Sequence, residues 1–320
     1  MADSAQISVE QAVARGSVYI INSQSADGAW TEWNLPPGRS RAWATAFVGY
    51  RTRLVPAAQQ PGLATARAAA SEWLIAHQFD GGGWGYNEWV CADADSTALG
   101  ILFLASLGIE APESSYTRLR QLQRADGGFA TYDEPGSWGA PHPDVTPIAV
   151  LALLTKDARS SPCVERGLEY VRRQRDDESG LWHSFWWTSP AYATEGSVRL
   201  LTTAESSFDR RRTRDGLLDF VPQNAFEAGL RLSALLHLDH AIGDAVDPLI
   251  GDMLRRQRSD GSFPSAPVLR VTRRDCAEPW SADDAGEVFQ DDGCLFATSV
   301  AVECLAGASM RRPILPPTPM

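Results

Sequence analysis

The 320-residue chain is 44% hydrophobic and carries a formal net charge of −11, enough apolar matter for a large core and the wrong sign of charge for a phosphate-backbone partner, so no nucleic acid is expected. Lys156 is its one lysine, which leaves a Walker-type phosphate loop and a Schiff-base enzyme without the residue each needs. Five cysteines (Cys91, Cys163, Cys276, Cys294, Cys304) are odd in number and never spaced C-x-x-C, which argues against a disulfide framework or a structural zinc site and for a reducing, cytoplasmic setting.

The N-terminal MADSAQISVE lacks the basic and apolar regions of a signal peptide, and no apolar run reaches membrane-span length. The expectation is a soluble chain, with contact between an apolar surface patch and a membrane left open.

From there a repeat organises the sequence. Five segments place a Gln before Asp-Gly, or a close variant, and an aromatic: QSADGAW (Gln24 to Trp30), QFDGGGW (Gln78 to Trp84), QRADGGF (Gln123 to Phe129), QRDDESGLW (Gln174 to Trp182) and QRSDGSF (Gln257 to Phe263). Each follows a helical stretch such as ASEWLIAHQ or LEYVRRQ and precedes a second, apolar one: WATAFVGY, DSTALGILFLASL, DVTPIAVLALL, YATEGSVRLL and LFATSVAVECLA. Thr45, Thr97, Thr146 and Thr194 mark a period of about fifty residues, and Thr298 follows about two periods later. A degenerate unit, Asp209 to Leu238, fills the gap without the turn.

Helical hairpins of this kind bury their apolar faces only by stacking on neighbours. The predicted fold is all-α: one α/α toroid of six hairpins over residues 1–310, with the Pro-rich tail RRPILPPTPM (311–320) outside it. The second helices, apolar nearly all round, are expected inside and the first helices outside. The turns read as structural staples, in which Gly permits the left-handed backbone, Asp bonds to the main chain and the aromatic covers the helix ends.

Candidate chemistry begins at ADADSTAL, where Asp93 and Asp95 open the second inner helix. Capping explains acids at a helix N-terminus. Yet Asp144 in HPDVTP stands before Thr146 as Asp95 stands before Thr97, so carboxylates recur where inner helices converge. Like charges in a low-dielectric site raise one pKa and keep a protonated acid available near neutral pH. Trp43, Trp89, Trp138, Trp186, Trp187, Tyr192, Trp280 and Phe296 lie in turns or at helix entrances, where they serve either as core or as π faces that stabilise a cation. LWHSFWWTSPAY is too aromatic for an ordinary turn.

The Q-x-x-D-G-x-W turns, the fifty-residue unit and D-A-D-S-T-A together resemble the squalene-hopene cyclase and class II terpene cyclase superfamily, whose α/α barrels are shared with protein prenyltransferase β-subunits. The resemblance implies protonation-initiated cyclisation of an isoprenoid or related polyene, with Asp95 as proton donor, Asp93 as the first Asp of the motif and Ser96 in place of the third. Arg256 stands where some members carry a His that supports the donor. In FQDDGCLF, Asp292 and Cys294 resemble the prenyltransferase zinc pair, but no His follows His240, so no metal is expected and Asp292 reads as a helix cap or cavity wall. His237 and His240 are helix neighbours that suit a solvated face. DDAGE (Asp283 to Glu287) reads as a solvated acidic turn. No cofactor is expected.

The expected partner is an apolar, isoprenoid-like small molecule, with a partner protein or a second copy left open. The larger cyclases build their site between two barrels, so a single barrel needs either a lid from its long loops, above all Pro264 to Asp292, or another protein as the partner barrel. The alternatives are a non-catalytic toroid that binds an apolar chain or a protein, a prenyltransferase-like enzyme, and an acid/base enzyme acting on sugars.

Overall fold

The computed structural model describes residues 7–238 and 243–311; His240 and the tail from 312 onward lie outside the described residues. Among the described residues, twelve α-helices alternate between two rings. The outer set is α1 (Val9–Asn22), α3 (Pro61–Ala76), α5 (Glu113–Gln121), α7 (Pro162–Arg173), α9 (Arg210–Asp219) and α11 (Gly243–Arg256); the inner set is α2 (Ala42–Arg51), α4 (Ala94–Ala105), α6 (Thr146–Leu153), α8 (Ala191–Thr203), α10 (Ala225–Leu238) and α12 (Leu295–Arg311). Inner helices pack in sequence, α2 on α4, then α6, α8, α10 and α12, and α12 returns to α2. The ring closes.

Composition explains which helix goes where. In α6, TPIAVLAL, every residue is buried; in α7 the buried Val164, Gly167, Leu168 and Val171 form one stripe while Glu165 and Glu169 face solvent. A helix with one apolar stripe covers a core, and one apolar on all sides sits within it.

Three of the turns fasten their hairpin to the next through a glutamine. Gln24 donates to the carbonyls of Gly28 and of Ala66 on α3, both at 2.7 Å; Gln123 reaches Gly127 and Cys163 on α7, and Gln257 reaches Gly261 and Ala12 on α1. Each glutamine bridges its own turn and the following outer helix, so the last clasp closes the outer ring. Gly261, at φ +93°, lies so close to α1 that a Cβ would stand 2.4 Å from the Arg15 carbonyl oxygen. Glycine is therefore required there on two counts.

The repeat threonines have a common task. Oγ1 of Thr45, Thr97, Thr146, Thr194 and Thr298 accepts the backbone N–H of Trp30, Trp84, Phe129, Trp182 and Phe263 respectively, at 2.8–3.1 Å. Trp30, Trp84 and Trp182 donate their indole N–H to the ends of the outer helices, at Ile20, Leu74 and Val171. These turn aromatics are fully buried. They belong to the scaffold.

Two small antiparallel hairpins depart from the all-helical expectation: β1 (Glu32–Leu35) with β2 (Gly38–Ser40), and β3 (Pro267–Thr272) with β4 (Gly286–Gln290). The second lies within the long Pro264–Asp292 segment. Its β3 edge joins the aromatic loop, through Arg270 N–H to the Trp186 carbonyl at 2.7 Å and Thr188 N–H to the Val268 carbonyl at 3.0 Å.

The far part of the barrel interior holds ions. Arg51 bonds Glu303 at 2.6 Å and Glu195 at 3.1 Å, Arg199 bonds Glu303 at 2.9 Å and pairs with Glu195, and Arg53 pairs with Glu303. Ser233 donates to Glu195, so α2, α8, α10 and α12 share one buried network. Burial works against the Glu195 charge, but Arg199 and Arg51 hold its carboxyl at about 2.

Candidate active site

The N-terminal ends of α2, α4, α6 and α8 border a cavity of about 470 Å³. Trp43, Asp95, Asp144 and Tyr192 each precede a repeat threonine by the same interval and line it together. The staple that holds the threonine therefore fixes the level of the residue before it.

Asp93 and Asp95 do different things. Asp93 is the N-cap of α4: its Oδ1 accepts the Ser96 N–H at 2.7 Å and its Oδ2 the Ser96 hydroxyl at 2.8 Å. Ser96 thus completes the cap. Asp95 is only partly buried and lines the cavity. Its Oδ2 accepts the indole N–H of Trp43 at 2.6 Å, and its Oδ1 is buried without a partner.

The electrostatics follow. Burial first, then the neighbouring Asp93 charge and more weakly Asp144, push Asp95 up to about 8, against the Trp43 bond that pulls it down. Burial lifts Asp93 to about 7 despite its two bonds from Ser96. Asp93, with two bonds from Ser96 against the single Trp43 bond of Asp95, is the better hydrogen-bonded anion of the pair, so the proton resides on Asp95 near neutral pH. Asp144 is lifted to about 6, chiefly by burial; its Oδ2 accepts the N–H groups of Phe185 and Trp186 at 2.9 and 2.8 Å. His142 is buried, bonded to Ser137 and Thr131, and pressed down to about 3 by desolvation. It is neutral.

Aromatic faces make the wall. Trp187 stacks on Tyr192 at 4.6 Å and on Phe226 at 4.9 Å, Trp138 meets Trp186 at 5.1 Å, and Trp43 lies 6.0 Å from Tyr86. The polar edges of two indoles are tied away: Trp186 donates to Thr131 and Trp138 to the Thr272 carbonyl. Such bonds fix the rings; the Arg274 guanidinium lies over the Trp138 face at 4.3 Å, an aromatic face holding a cation within the wall itself. Leu269, Arg270 and Val271 on β3 complete the wall, so part of the long loop covers the cavity.

Of the residues singled out in the sequence, Asp93, Asp95, Asp144, Trp43, Trp138, Trp186, Trp187 and Tyr192 line this cavity, and Trp89, Trp280, Asp292 and Phe296 do not. Asn87 turns the chain by accepting from Trp89 N–H and Val90 N–H, which sends Val90 inward and leaves Trp89 79% exposed. Trp280 stacks on His183 at 5.0 Å, outside the wall. Asp292 faces solvent, while Cys294 receives a long 3.5 Å contact from Arg258. Phe296 lies beneath, stacked on Phe47 at 3.9 Å and 4.8 Å from Trp43. Arg256 is paired with Asp252 on its own helix. His237, expected on a solvated face, is largely desolvated and driven down to about 4 by burial and then by Arg199. Tyr86, Thr131, Tyr132, Glu134, Arg270 and Arg274 line the cavity without having been singled out. For Tyr86, Thr131 and Tyr132 a signal exists, since each follows a repeat turn closely; for the others none does.

Comparison with known proteins places this geometry. Over 95% of its length the chain superposes on 98% of the type II terpene cyclase MstE from Scytonema, with a TM-score of 0.84 and 21% identity; structures of that cyclase include complexes with geranylgeranyl dihydroxybenzoate and with merosterolic acid A. A protein from Actinoplanes matches 94% of the chain over 99% of its own, with a TM-score of 0.82 and 24% identity. The fold is thus the α/α toroid of type II terpene cyclases. In sequence, 134 residues are 35% identical to terpentedienyl-diphosphate synthase from Kitasatospora griseola; this is 41% of the chain and only 24% of that relative's length. No family model matches the chain. Among the described residues, no helix is long and apolar enough to cross a membrane.

Proposed function

We propose that the protein is a type II terpene cyclase that protonates a polyprenyl substrate and closes the resulting cation into rings within the aromatic cavity. One observation carries the reading. Asp95 is an acid raised to about 8 by burial and by Asp93, set in a cavity walled mainly by indole, phenol and aliphatic side chains.

The Trp43 bond decides which oxygen acts. An indole N–H only donates, so Oδ2 is the accepting oxygen and the acid proton sits on Oδ1, the atom without a partner. As it leaves, charge develops on the carboxylate, and the Trp43 N–H stabilises that charge where it forms. The cation meets the faces of Trp43, Trp186, Trp187 and Tyr192, which stabilise it without capturing it as a free amine would. Asp93, bound twice by Ser96, stays put as the charge that keeps Asp95 protonated.

The test is incubation of purified protein with farnesyl and geranylgeranyl diphosphates, squalene and geranylgeranyl dihydroxybenzoate, followed by product mass spectrometry. A cyclic product from any of them supports the proposal; binding without conversion of all four favours an apolar-chain carrier.

A further inference from the structure

The loop that carries Trp186 and Trp187 converges on a single residue of β3. Four consecutive carbonyls, those of Ser184, Phe185, Trp186 and Trp187, accept from Arg270. Its guanidinium donates through Nη2 to Ser184, Phe185 and Trp187 at 3.0–3.1 Å, and its backbone N–H donates to Trp186 at 2.7 Å. Thr272 adds to the grip: its Oγ1 accepts from Arg270 Nε at 3.3 Å and donates to the Phe185 carbonyl at 2.6 Å. Arg270 and Thr272 are both buried.

The opposite edge of the loop belongs to Asp144, whose Oδ2 accepts the Phe185 and Trp186 N–H groups. The Ser184–Phe185 and Phe185–Trp186 peptide groups are therefore each held at both ends, the oxygen by Arg270 and the N–H by Asp144. A trans peptide points these two groups in opposite directions, so a cation and an anion face each other across the loop. Burial works against the Arg270 charge, and Asp144 supports it.

This clamp has a geometric consequence. In an extended strand successive side chains leave on opposite faces. Trp186 and Trp187 are successive, yet both line the cavity. Gathering four carbonyls onto one residue curls the backbone and brings both indoles to the same side. Neutral donors could fill the same bonds without burying a guanidinium, a group that is costly to bury unless paired. Charge-assisted bonds are roughly twice as strong, which suits a curl that must not relax.

We propose, on the basis of the cyclase reading above, that Arg270 and Asp144 are positioning residues that hold the Trp186 and Trp187 indoles in place, and that this placement selects which cyclic isomer forms. Both act through the loop between them. A cation moving along a closing chain is stabilised where a π face stands. An indole that shifts moves that point, so a loosened loop lets the chain close in more than one pattern.

The experiment compares full-chain wild type, Arg270→Met and Thr272→Val by two readouts: hydrogen exchange of the Phe185 and Trp186 amides, and the isomer distribution of products from geranylgeranyl diphosphate and geranylgeranyl dihydroxybenzoate. Arg270→Met keeps a long side chain and removes the charge and the donors. Its two amides are expected to exchange at least ~10-fold faster, as for loss of hydrogen bonds to a charged group. The main product is expected to lose roughly 10-fold against its isomers, the worth of one misplaced π face. A ratio among isomers does not depend on how much protein is folded, so lost stability alone leaves it unchanged. If Arg270→Met does not fold, Thr272→Val, which removes only the hydroxyl between Arg270 and Phe185, is expected to give the same two changes at smaller size. Exchange as slow as wild type would overturn the clamp, and an unchanged isomer ratio with faster exchange would overturn its hold on the product. Failure of the cyclase reading shows separately, as no cyclic product from wild type, and leaves the clamp to be judged by exchange alone.

Discussion

Trp43 donates its indole N–H to Oδ2 of Asp95 over 2.6 Å, linking the entrances of two neighbouring inner helices. The bond stabilises the carboxylate and so strengthens the acid. Trp43→Phe keeps an aromatic face and removes the donor. Its expected effect is a basic limb of the pH–rate profile moved to higher pH and a turnover lower by roughly 10-fold, as for loss of a hydrogen bond to a charged group. A profile identical to wild type would show that the indole acts only as wall.

The raised carboxyls make a stability prediction. Asp93, Asp95 and Asp144 sit at about 7, 8 and 6 in the folded chain, above the ~3.9 of an unfolded Asp. At these three groups the folded state therefore binds more protons, and their contribution to stability is full below about pH 4 and declines as pH rises through about 8. Asp95→Asn removes the largest of these shifts. Thermal melts from pH 5 to 9 are expected to show the variant gaining on wild type as pH rises, while wild-type turnover falls above about pH 8.

The turns make a packing prediction. Gly82 and Gly108 both have positive φ, at +87° and +73°, but a Cβ on Gly82 would stand 2.3 Å from the Ser114 carbonyl oxygen, whereas one on Gly108 meets nothing within 4 Å. Gly108→Ala is expected to cost about 1 kcal/mol of backbone strain. Gly82→Ala adds roughly 1–3 kcal/mol of overpacking. Urea unfolding of the two variants separates strain from contact, and equal costs would remove the turn from its role as a staple.

Much of this was legible in the sequence because the repeat is local. A threonine and a Gln-Asp-Gly-aromatic turn recur in fixed order, and that order alone sets the inner helices and the common level of Trp43, Asp95, Asp144 and Tyr192. What escaped reading depends on the third dimension. Trp89 and Val90 are neighbours, and only the Asn87 turn decides which enters the cavity. Arg270 lines the cavity because an unpredicted hairpin pairs with the aromatic loop. Phe296 has the register of a lining residue, but the bulk of Trp43 covers it. Glu195 and Arg199, one turn apart in an otherwise uncharged helix, signalled a buried ion pair that the sequence analysis passed over.

That ionic network yields its own prediction. Glu303 bonds Arg51, Arg53 and Arg199 from inside the barrel. Glu303→Gln leaves Arg51 and Arg199 with Glu195 as their remaining carboxylate and Arg53 with none in the network, and is expected to destabilise the fold by about 3–5 kcal/mol, the cost of breaking a buried pair. Chemical denaturation measures it. A cost below about 1 kcal/mol would mean that the network behaves like a surface one.

The central claim is that Asp95 delivers the proton that starts cyclisation. Asp95→Asn keeps the shape and the acceptor for Trp43 while removing the proton, so the variant should fold and still bind geranylgeranyl dihydroxybenzoate or geranylgeranyl diphosphate. Substrate binding and product formation, measured on the same preparation by calorimetry and mass spectrometry, are expected to separate: affinity within a few-fold of wild type, turnover down by at least ~10²-fold. A folded Asp95→Asn protein that makes the wild-type product at the wild-type rate would contradict the account.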